Sequence, residues 1–227
     1  MIKISEIEVW GFKGAIRGMR NPLNSWDKSD SESVWYPTYS EPVFEIGNND
    51  LNLMKRLHDG GPVHAKYLRM IHIQLDCCAP LYWWKEADTY RIGVTRNSCS
   101  TMHKIHAKPF TEEDFSIENL TDIYRETMLK VITQLNGARE EYLEAVEEMN
   151  LGRTPESFKE LSAKAKGKWW QMIQLLPSSY NQKATLDFNY QVALEMIRWR
   201  EFHKLDEWRE FVKVLKTLPY MEELLKK

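Results

Sequence analysis

The sequence has few cysteines, little excess of either charge and no long run of apolar residues. Its three cysteines, Cys77, Cys78 and Cys99, include an adjacent pair, so they do not resemble the even, spaced set of a disulfide-stabilised secreted domain. A formal net charge of −2 leaves no basic surplus, which argues against nucleic acid as the main partner. The N-terminus lacks an apolar signal core, and no apolar run could span a bilayer. We therefore expect a soluble, cytoplasmic protein without a membrane partner.

A high apolar and aromatic content is what the sequence offers instead. Hydrophobic residues make up 43% and aromatic residues 12% of the 227 positions, which is enough to build one sizeable packed core. We therefore expect a single domain over residues 1–227.

The first half of the chain carries the pattern of strands. Alternating apolar residues predict a strand over residues 2–9, with one slip in the alternation, and another over 68–75. In the second strand, His72, Gln74 and Asp76 fall on the face opposite the apolar residues. These strands predict a small sheet.

Between and after these strands the pattern changes to turns and helices. Turn-forming residues predict an irregular segment over 11–45. Asp50 is expected to cap a short helix. Pro80 is expected to begin a helix over 79–92. Helix-spaced apolar residues predict helices over 117–149, with Gly137 as a candidate interruption, and over 155–176, 183–203 and 206–217. A small sheet followed by a helical second half is an α+β layout.

The stretch from Cys77 to Lys104, CCAPLYWWKEADTYRIGVTRNSCSTMHK, combines residue types that neither a core nor a solvated surface needs together. Aromatic Tyr82, Trp83, Trp84 and Tyr90 stand among charged side chains, and a run of small hydroxyl and amide residues follows. Flat apolar faces beside cations and hydroxyls suit a planar anionic ligand such as a nucleotide or flavin.

Metal binding and nucleophilic catalysis are alternative uses of the same stretch. Cys99, His103 and His106 have a spacing that a metal site can use, but no further ligand completes the set, and we expect no metal. Cys99 can also be a nucleophile with His103 as its base, although a lone cysteine near a histidine is usually incidental.

Residues 97–101, NSCST, have two further interpretations. Hydroxyls and backbone N–H groups at the start of a helix bind phosphate. The same residues can simply cap the helix, through Asn97 or Ser98. The spacing alone leaves both interpretations open.

Four segments, taken in order, resemble the flavin-dependent thymidylate synthases, the ThyX family. They are AIRGMRNP at 15–22, GGPVHAKYLRMIHIQLDCCAP at 60–80, YRIGVTRNSCSTMHK at 90–104 and LLPSSYNQKATLDFNYQVALEMIRWR at 175–200. The third resembles the family signature, in which a basic cluster precedes the pattern Asn-Glu-x-Ser-x-Arg-Tyr. The same region also resembles a divergent branch of the family found in phage and Gram-positive genomes. The resemblance covers most of the chain.

The resemblance implies a role for each matching residue. Catalytic roles are implied for Arg91 and Arg200. Contacts to the cofactor are implied for His64, Arg91, Asn97 and Asn189. Contacts to the substrate are implied for Ser100, Thr101, Lys104 and Arg200.

Four positions depart from the family signature. Thr89 and Tyr90 stand where the resemblance expects arginine and histidine, Ser98 stands for glutamate, and Met102 stands for arginine. Loss of a phosphate-binding arginine removes a charge-assisted contact of about 1.5–3 kcal/mol unless another cation replaces it.

The resemblance implies an α+β fold with a small antiparallel sheet and a helical second half. It also implies an enzyme that methylates dUMP, or a related pyrimidine deoxynucleotide, with FAD, NADPH and methylenetetrahydrofolate. Such an enzyme is a homotetramer with active sites between subunits. The departures from the signature raise a second hypothesis, a non-catalytic nucleotide-binding homologue that has lost its flavin chemistry.

Overall fold

The structure, a computed structural model, describes residues 1–152 and 154–226. Its strands are β1 (Lys3–Trp10), β2 (Glu32–Val34), β3 (Val43–Glu45), β4 (His72–Pro80), β5 (Val94–Ser98) and β6 (Asn181–Asn189). Its helices are α1 (Phe12–Arg20), α2 (Asn48–Asp59), α3 (Leu81–Ala87), α4 (Thr101–Lys104), α5 (Asp122–Asn150), α6 (Pro155–Leu175), α7 (Tyr190–Arg200), α8 (Asp206–Lys216) and α9 (Met221–Leu225). The predicted α+β fold class, with a small antiparallel sheet and a mainly helical second half, is confirmed.

The main sheet has the strand order β1-β4-β6-β5, and β2 and β3 form a separate antiparallel ribbon. Side chains join β4 to β6 on one face: Gln74 donates to Asp187 at 2.8 Å, and Thr185 donates to Asp76 at 2.6 Å. Residue numbers rise along β4 as their partners' numbers fall along β6, which is the register of an antiparallel pair.

The two strands predicted in the first half exist, with shifted bounds. In β4 the apolar residues Ile73 and Leu75 are buried, and the polar residues between them are half-buried. The predicted start at 68 is wrong because residues 65–70 form a 3-10 helix. In β1 the slip in the alternation coincides with Glu6, whose φ is +50°, a left-handed conformation that reverses which side chains share a face.

The segment 11–45 is not irregular throughout, as the sequence predicted, because α1 occupies its beginning. The buried residues Phe12, Ala15, Ile16 and Met19 recur at helix spacing and form the inner face of α1. Two glycines within this short helix weaken the helical pattern, which explains the wrong prediction.

Gly11 is the turn between β1 and α1, and no other residue fits there. Its φ is +97°, which L-residues rarely adopt. A Cβ atom at this position would lie 2.1 Å from the carbonyl oxygen of Met70. The chain therefore enters α1 in close backbone contact with the 3-10 helix that precedes β4.

Asp50 does not cap α2, contrary to the prediction. The helix begins at Asn48 after Gly47, and Asp50 lies within the first turn with its side chain fully buried. Its Oδ1 accepts a hydrogen bond from Nε of Arg20, which is also buried, at 2.5 Å. Ser29 and Ser31 donate hydroxyl hydrogen bonds to Oδ2 at 2.7 and 2.6 Å. Asp50 thus ties α1, α2 and the intervening loop together.

The predicted helix over 183–203 is wrong in its first part, because residues 181–189 form β6. Alternate residues of β6 are buried, namely Gln182, Ala184, Leu186 and Phe188. This period of two is the pattern of a half-buried strand. The helix α7 begins only after it, and Asn189 provides its N-cap, with Oδ1 accepting from the backbone N–H of Val192 at 3.1 Å.

The helices α5 and α6, which their periodicity predicted, pack against each other as a long hairpin. Gly137 does not interrupt α5. Thr154 and Ser157 form a capping box at the start of α6, with Pro155 in its first turn. The core of this part contains Ile105, Phe110, Phe115, Met128, Ile132, Leu135 and Met172.

The described residues group into two compact units. The first, here called the hairpin unit, contains Met1, Cys78–Ala87 and Ser98–Ala184. The second unit contains Ile2–Cys77, Asp88–Asn97 and the residues from Thr185 onward. The single domain over residues 1–227 stays a prediction. None of the helices in the described ranges has both the length and the apolar character needed to cross a bilayer.

Candidate functional site

The two tryptophans that stood out in the sequence belong to the core of the hairpin unit. Trp83 and Trp84 are 0% and 2% exposed, and their rings meet edge to face at 4.9 Å. Trp84 Nε1 donates to the carbonyl oxygen of Gln182 at 3.0 Å. Trp83 therefore cannot stack on a ligand. The predicted helix over 79–92 is shorter, Leu81–Ala87, and Pro80 ends β4 instead of beginning the helix.

In the second unit, Arg200 lies at the end of α7 beside two aromatic rings, those of Tyr90 and Trp208, whose centroids are 5.9 Å apart. Its guanidinium carbon is 4.9 Å from the ring centroid of Trp208 and 5.4 Å from that of Tyr90. Its Nε donates to the Tyr90 hydroxyl at 3.0 Å. Trp208 is fully buried, so the guanidinium packs against an aromatic ring that is fixed in the core. Arg200 is thus a preorganised cation rather than a freely solvated one.

The turn between α3 and β5 brings Gly93 against Asn189. Gly93 has a φ of +75°, and a Cβ there would lie 3.1 Å from Nδ2 of Asn189 and 3.2 Å from Val192. The turn leaves Arg91 exposed and Ile92 92% exposed. The exposed cation and apolar side chain of Arg91 and Ile92 therefore directly precede the glycine at which this turn meets the Asn189 amide.

The other two predicted cofactor residues of the second unit lie on different elements. Asn97 is exposed near the end of β5. His64 is exposed at the start of the 3-10 helix, where its Cδ2 lies 3.3 Å from the position that a Cβ on Gly60 would take. Their roles stay predictions.

In the hairpin unit, Ser100 is the N-cap of α4. Its Oγ accepts a hydrogen bond from the backbone N–H of His103 at 3.0 Å. Capping by Asn97 or Ser98 is wrong, because both residues belong to β5. The half-buried Thr101 begins the helix, and the exposed Lys104 ends it.

A pocket of about 360 Å³ adjoins α4 in the hairpin unit. Its lining residues come from α4, α5 and α6: Met102, His103, Tyr142, Val146, Met149, Ser162, Ala165, Lys166 and Trp169. The indole N–H of Trp169 donates to the carbonyl oxygen of Met102 at 3.1 Å, which fixes α6 against α4. A larger cavity of about 580 Å³ on the same helix pair is lined by residues such as Thr133, Gly137 and Gln171 and contains none of the predicted site residues.

Two cations, Lys104 and Arg139, lie near His106, which follows α4 in the chain. Burial lowers the pKa of His106, and the charges of Lys104 and Arg139 lower it further. Arg139 Nε also donates to the His106 carbonyl oxygen at 2.9 Å, and the His106 ring packs against Tyr142. Two cations therefore lie close enough to disfavour a third positive charge.

Cys99 and the neighbouring histidines do not form a metal centre in the structure. No group of three or more potential metal ligands is found within residues 1–152 and 154–226. Cys99 is exposed, with its backbone engaged by residues of β6: its N–H donates to Lys183, and its carbonyl oxygen accepts from Gln182.

Trp208, Lys166 and Trp169 are site candidates that the sequence did not reveal, and the contact of Tyr90 with Arg200 was not predicted either. Tyr90 and Arg200 are 110 positions apart, so no local spacing links them. Lys166 and Trp169 are three positions apart on α6, but their relation to α4 depends on the packing of the hairpin.

These elements define the class of protein: an α+β chain with a four-stranded sheet, a long helical hairpin and cationic groups at α4 and α7. No protein-family model matches the sequence, and no curated protein matches it. Comparison with solved structures identifies the particular fold.

Flavin-dependent thymidylate synthase ThyX from Helicobacter pylori, complexed with FAD and dUMP, superimposes with a TM-score of 0.60 and 16% sequence identity. The match covers 97% of this chain and 98% of that chain. A second structure of the Helicobacter pylori protein with FAD and dUMP gives a TM-score of 0.61 and 15% identity, covering 99% of this chain and 97% of that one. This chain therefore has the ThyX fold over nearly its whole length.

Proposed function

We propose that this protein is a flavin-dependent thymidylate synthase-like enzyme. It methylates dUMP, or a related pyrimidine deoxynucleotide, with FAD, NADPH and methylenetetrahydrofolate. The observation that carries the proposal is the end-to-end structural similarity to ThyX complexed with FAD and dUMP. Residues that match the family motifs support it, namely Arg91, Asn97, Ser100, Asn189 and Arg200.

The residues at the turn before β5 fit a flavin. Gly93 lets the backbone approach the Asn189 amide more closely than a side chain at that position would allow. Arg91 supplies a cation and Ile92 an exposed apolar side chain beside it. A planar, phosphate-bearing cofactor needs this combination. In our proposal Arg91, Asn97, Asn189 and His64 hold the flavin, whose chemistry is hydride transfer.

The protein's own contribution is binding and positioning. Arg200, held against two rings, directs its charge at the nucleotide without first losing side-chain freedom. Ser100, Thr101 and Lys104 bind the nucleotide phosphate at α4. Because the Ser100 Oγ already accepts the cap hydrogen bond, its hydroxyl hydrogen is what it can offer to a phosphate oxygen.

A non-catalytic nucleotide-binding protein is the second candidate, and the changed signature favours it. Tyr90 stands where the resemblance expects histidine, and it is engaged with Arg200. Ser98 and Met102 replace two further charged residues of the signature. These changes affect chemistry more than folding, so binding can survive where turnover does not.

We also propose a homotetramer in the cytoplasm, from the divergent phage and Gram-positive-type branch. Large aromatic side chains of the second unit support self-association: Trp35, Trp199 and Phe202 are 68%, 66% and 90% exposed. The cysteines described are thiols rather than disulfides, which fits a reducing compartment. The low net charge supports a small-molecule rather than a nucleic-acid partner.

Turnover separates the two candidates. Purified protein is incubated with FAD, NADPH, methylenetetrahydrofolate and dUMP, and the nucleotide products are separated by chromatography. We expect dTMP to accumulate together with NADPH oxidation, and neither in a reaction without dUMP. If dUMP binds but no methylated nucleotide forms, the non-catalytic candidate is correct.

A further inference from the structure

The polar groups of the pocket beside α4 carry only one sign of charge. His103 and Lys166 are basic, Ser162 offers a hydroxyl, and none of the described residues lining the pocket is acidic. The aromatic rings of Tyr142 and Trp169 form part of its wall. Aromatic surface beside cations suits a planar ligand that carries an anionic group.

Lys166 differs from the two lysines that flank it on α6. Lys164 pairs with Glu148 at 2.5 Å, and Lys168 pairs with Glu141 at 2.6 Å. Within the described part of the chain, Lys166 has no such carboxylate partner, and it lines the pocket instead. The ammonium group of Lys166 is therefore available to an anion from solution.

Two further cations lie near α4. Burial lowers the pKa of His106, and the charges of Lys104 and Arg139 lower it further. An anion that enters the pocket would meet the Lys166 ammonium and no carboxylate among the described lining residues. The hydrogen bond from Trp169 to Met102 holds the pocket wall against α4.

We propose that this pocket binds a nucleoside monophosphate, with Lys166 and His103 contacting its phosphate and Trp169 lying against its base. This inference rests on the proposed function, and it names the source of the positive charge that the signature lacks at Met102. Lys166 comes from α6, far along the chain from the signature, and so the compensation is visible only in the folded protein.

The test is dUMP binding, measured by calorimetry on the full chain at low salt, with deoxyuridine as the ligand without phosphate. Lys166→Ala is expected to weaken dUMP binding about tenfold, the effect of one lost charge-assisted contact. It should leave deoxyuridine binding and the melting temperature nearly unchanged. Lys166→Arg should keep most of the affinity.

Lys164→Ala and Lys168→Ala are matched controls, because they remove the same charge from the same helix outside the pocket. If all three alanine variants lose dUMP affinity equally, the effect is a general one and the proposal is wrong. If Lys166→Ala binds dUMP as the unmodified protein does, the pocket proposal is wrong while the proposed function stands. If the unmodified protein binds no dUMP, both are wrong.

Discussion

Replacing Asp50 with alanine is expected to destabilise the protein by about 3–5 kcal/mol, because it leaves the buried Arg20 guanidinium without its counter-charge. Both side chains are almost completely excluded from solvent, and the Asp50 carboxylate also accepts hydrogen bonds from Ser29 and Ser31. Chemical denaturation followed by circular dichroism measures the change in the free energy of unfolding. A loss below about 1 kcal/mol, the range of surface ion pairs, would contradict the structural role of this pair.

Asp206 provides the matched control, because it forms an exposed ion pair with Arg209. Asp206→Ala is expected to cost less than about 1 kcal/mol, since solvent screens an exposed pair. The difference between the two losses of unfolding free energy shows how much of the Asp50→Ala effect comes from burial of the ion pair rather than from the loss of an aspartate as such.

The Asp50 contribution also depends on pH. Burial alone would raise the pKa of Asp50, but hydrogen bonds from Ser31 and Ser29 and the hydrogen bond and charge of Arg20 leave it below the ordinary value. The folded state therefore holds this proton less tightly than the unfolded state does. The stabilisation is present above the unfolded-state pKa of the aspartate and is lost as pH falls through the folded-state value. Asp50→Ala should remove this part of the acid sensitivity.

The second large effect is expected from Arg200→Ala, which should weaken dUMP binding about ten- to a hundredfold. This range corresponds to the loss of a charge-assisted contact of about 1.5–3 kcal/mol. The geometry predicts that Arg200→Lys restores little, because an ammonium lacks the planar group that packs against Tyr90 and Trp208 and the Nε that donates to the Tyr90 hydroxyl. Equilibrium dUMP binding of each variant is the measurement.

Arg198→Ala is the control for Arg200→Ala. Arg198 lies on the same helix, is exposed, and stacks on the exposed ring of Trp199. Its loss should change dUMP affinity less than about twofold, because an exposed, screened charge contributes little. Equal losses in the two variants would mean that Arg200 acts only through net charge, and its assignment as a binding residue would be wrong.

Periodicity predicted those parts of the fold in which burial follows sequence spacing. The long hairpin of α5 and α6 and the strand β4 belong to this group, since their apolar residues recur with periods of 3.6 and 2. The strand β6 was missed because its alternating residues run directly into the helix-spaced residues of α7. Asn189, predicted within a helix, instead marks the boundary between the two.

Side-chain roles were harder to predict than elements. The aromatic residues of the Cys77–Lys104 stretch have different roles. Trp83 and Trp84 are buried in the core, whereas Tyr90 accepts a hydrogen bond from Arg200. Composition could not predict this difference, because it depends on where α3 ends: Trp83 and Trp84 lie on that helix, and Tyr90 follows it. Likewise, the pairing of Arg20 with Asp50 joins residues 30 positions apart that carry no common motif.

Flavin binding tests the central claim most directly. The purified protein is incubated with FAD, passed through a gel-filtration column and examined by visible absorption before and after addition of dUMP. Our account predicts that a flavin band near about 450 nm co-elutes with the protein and changes when dUMP binds. A colourless protein that releases all added FAD on the column would contradict the assignment of a flavin-dependent enzyme.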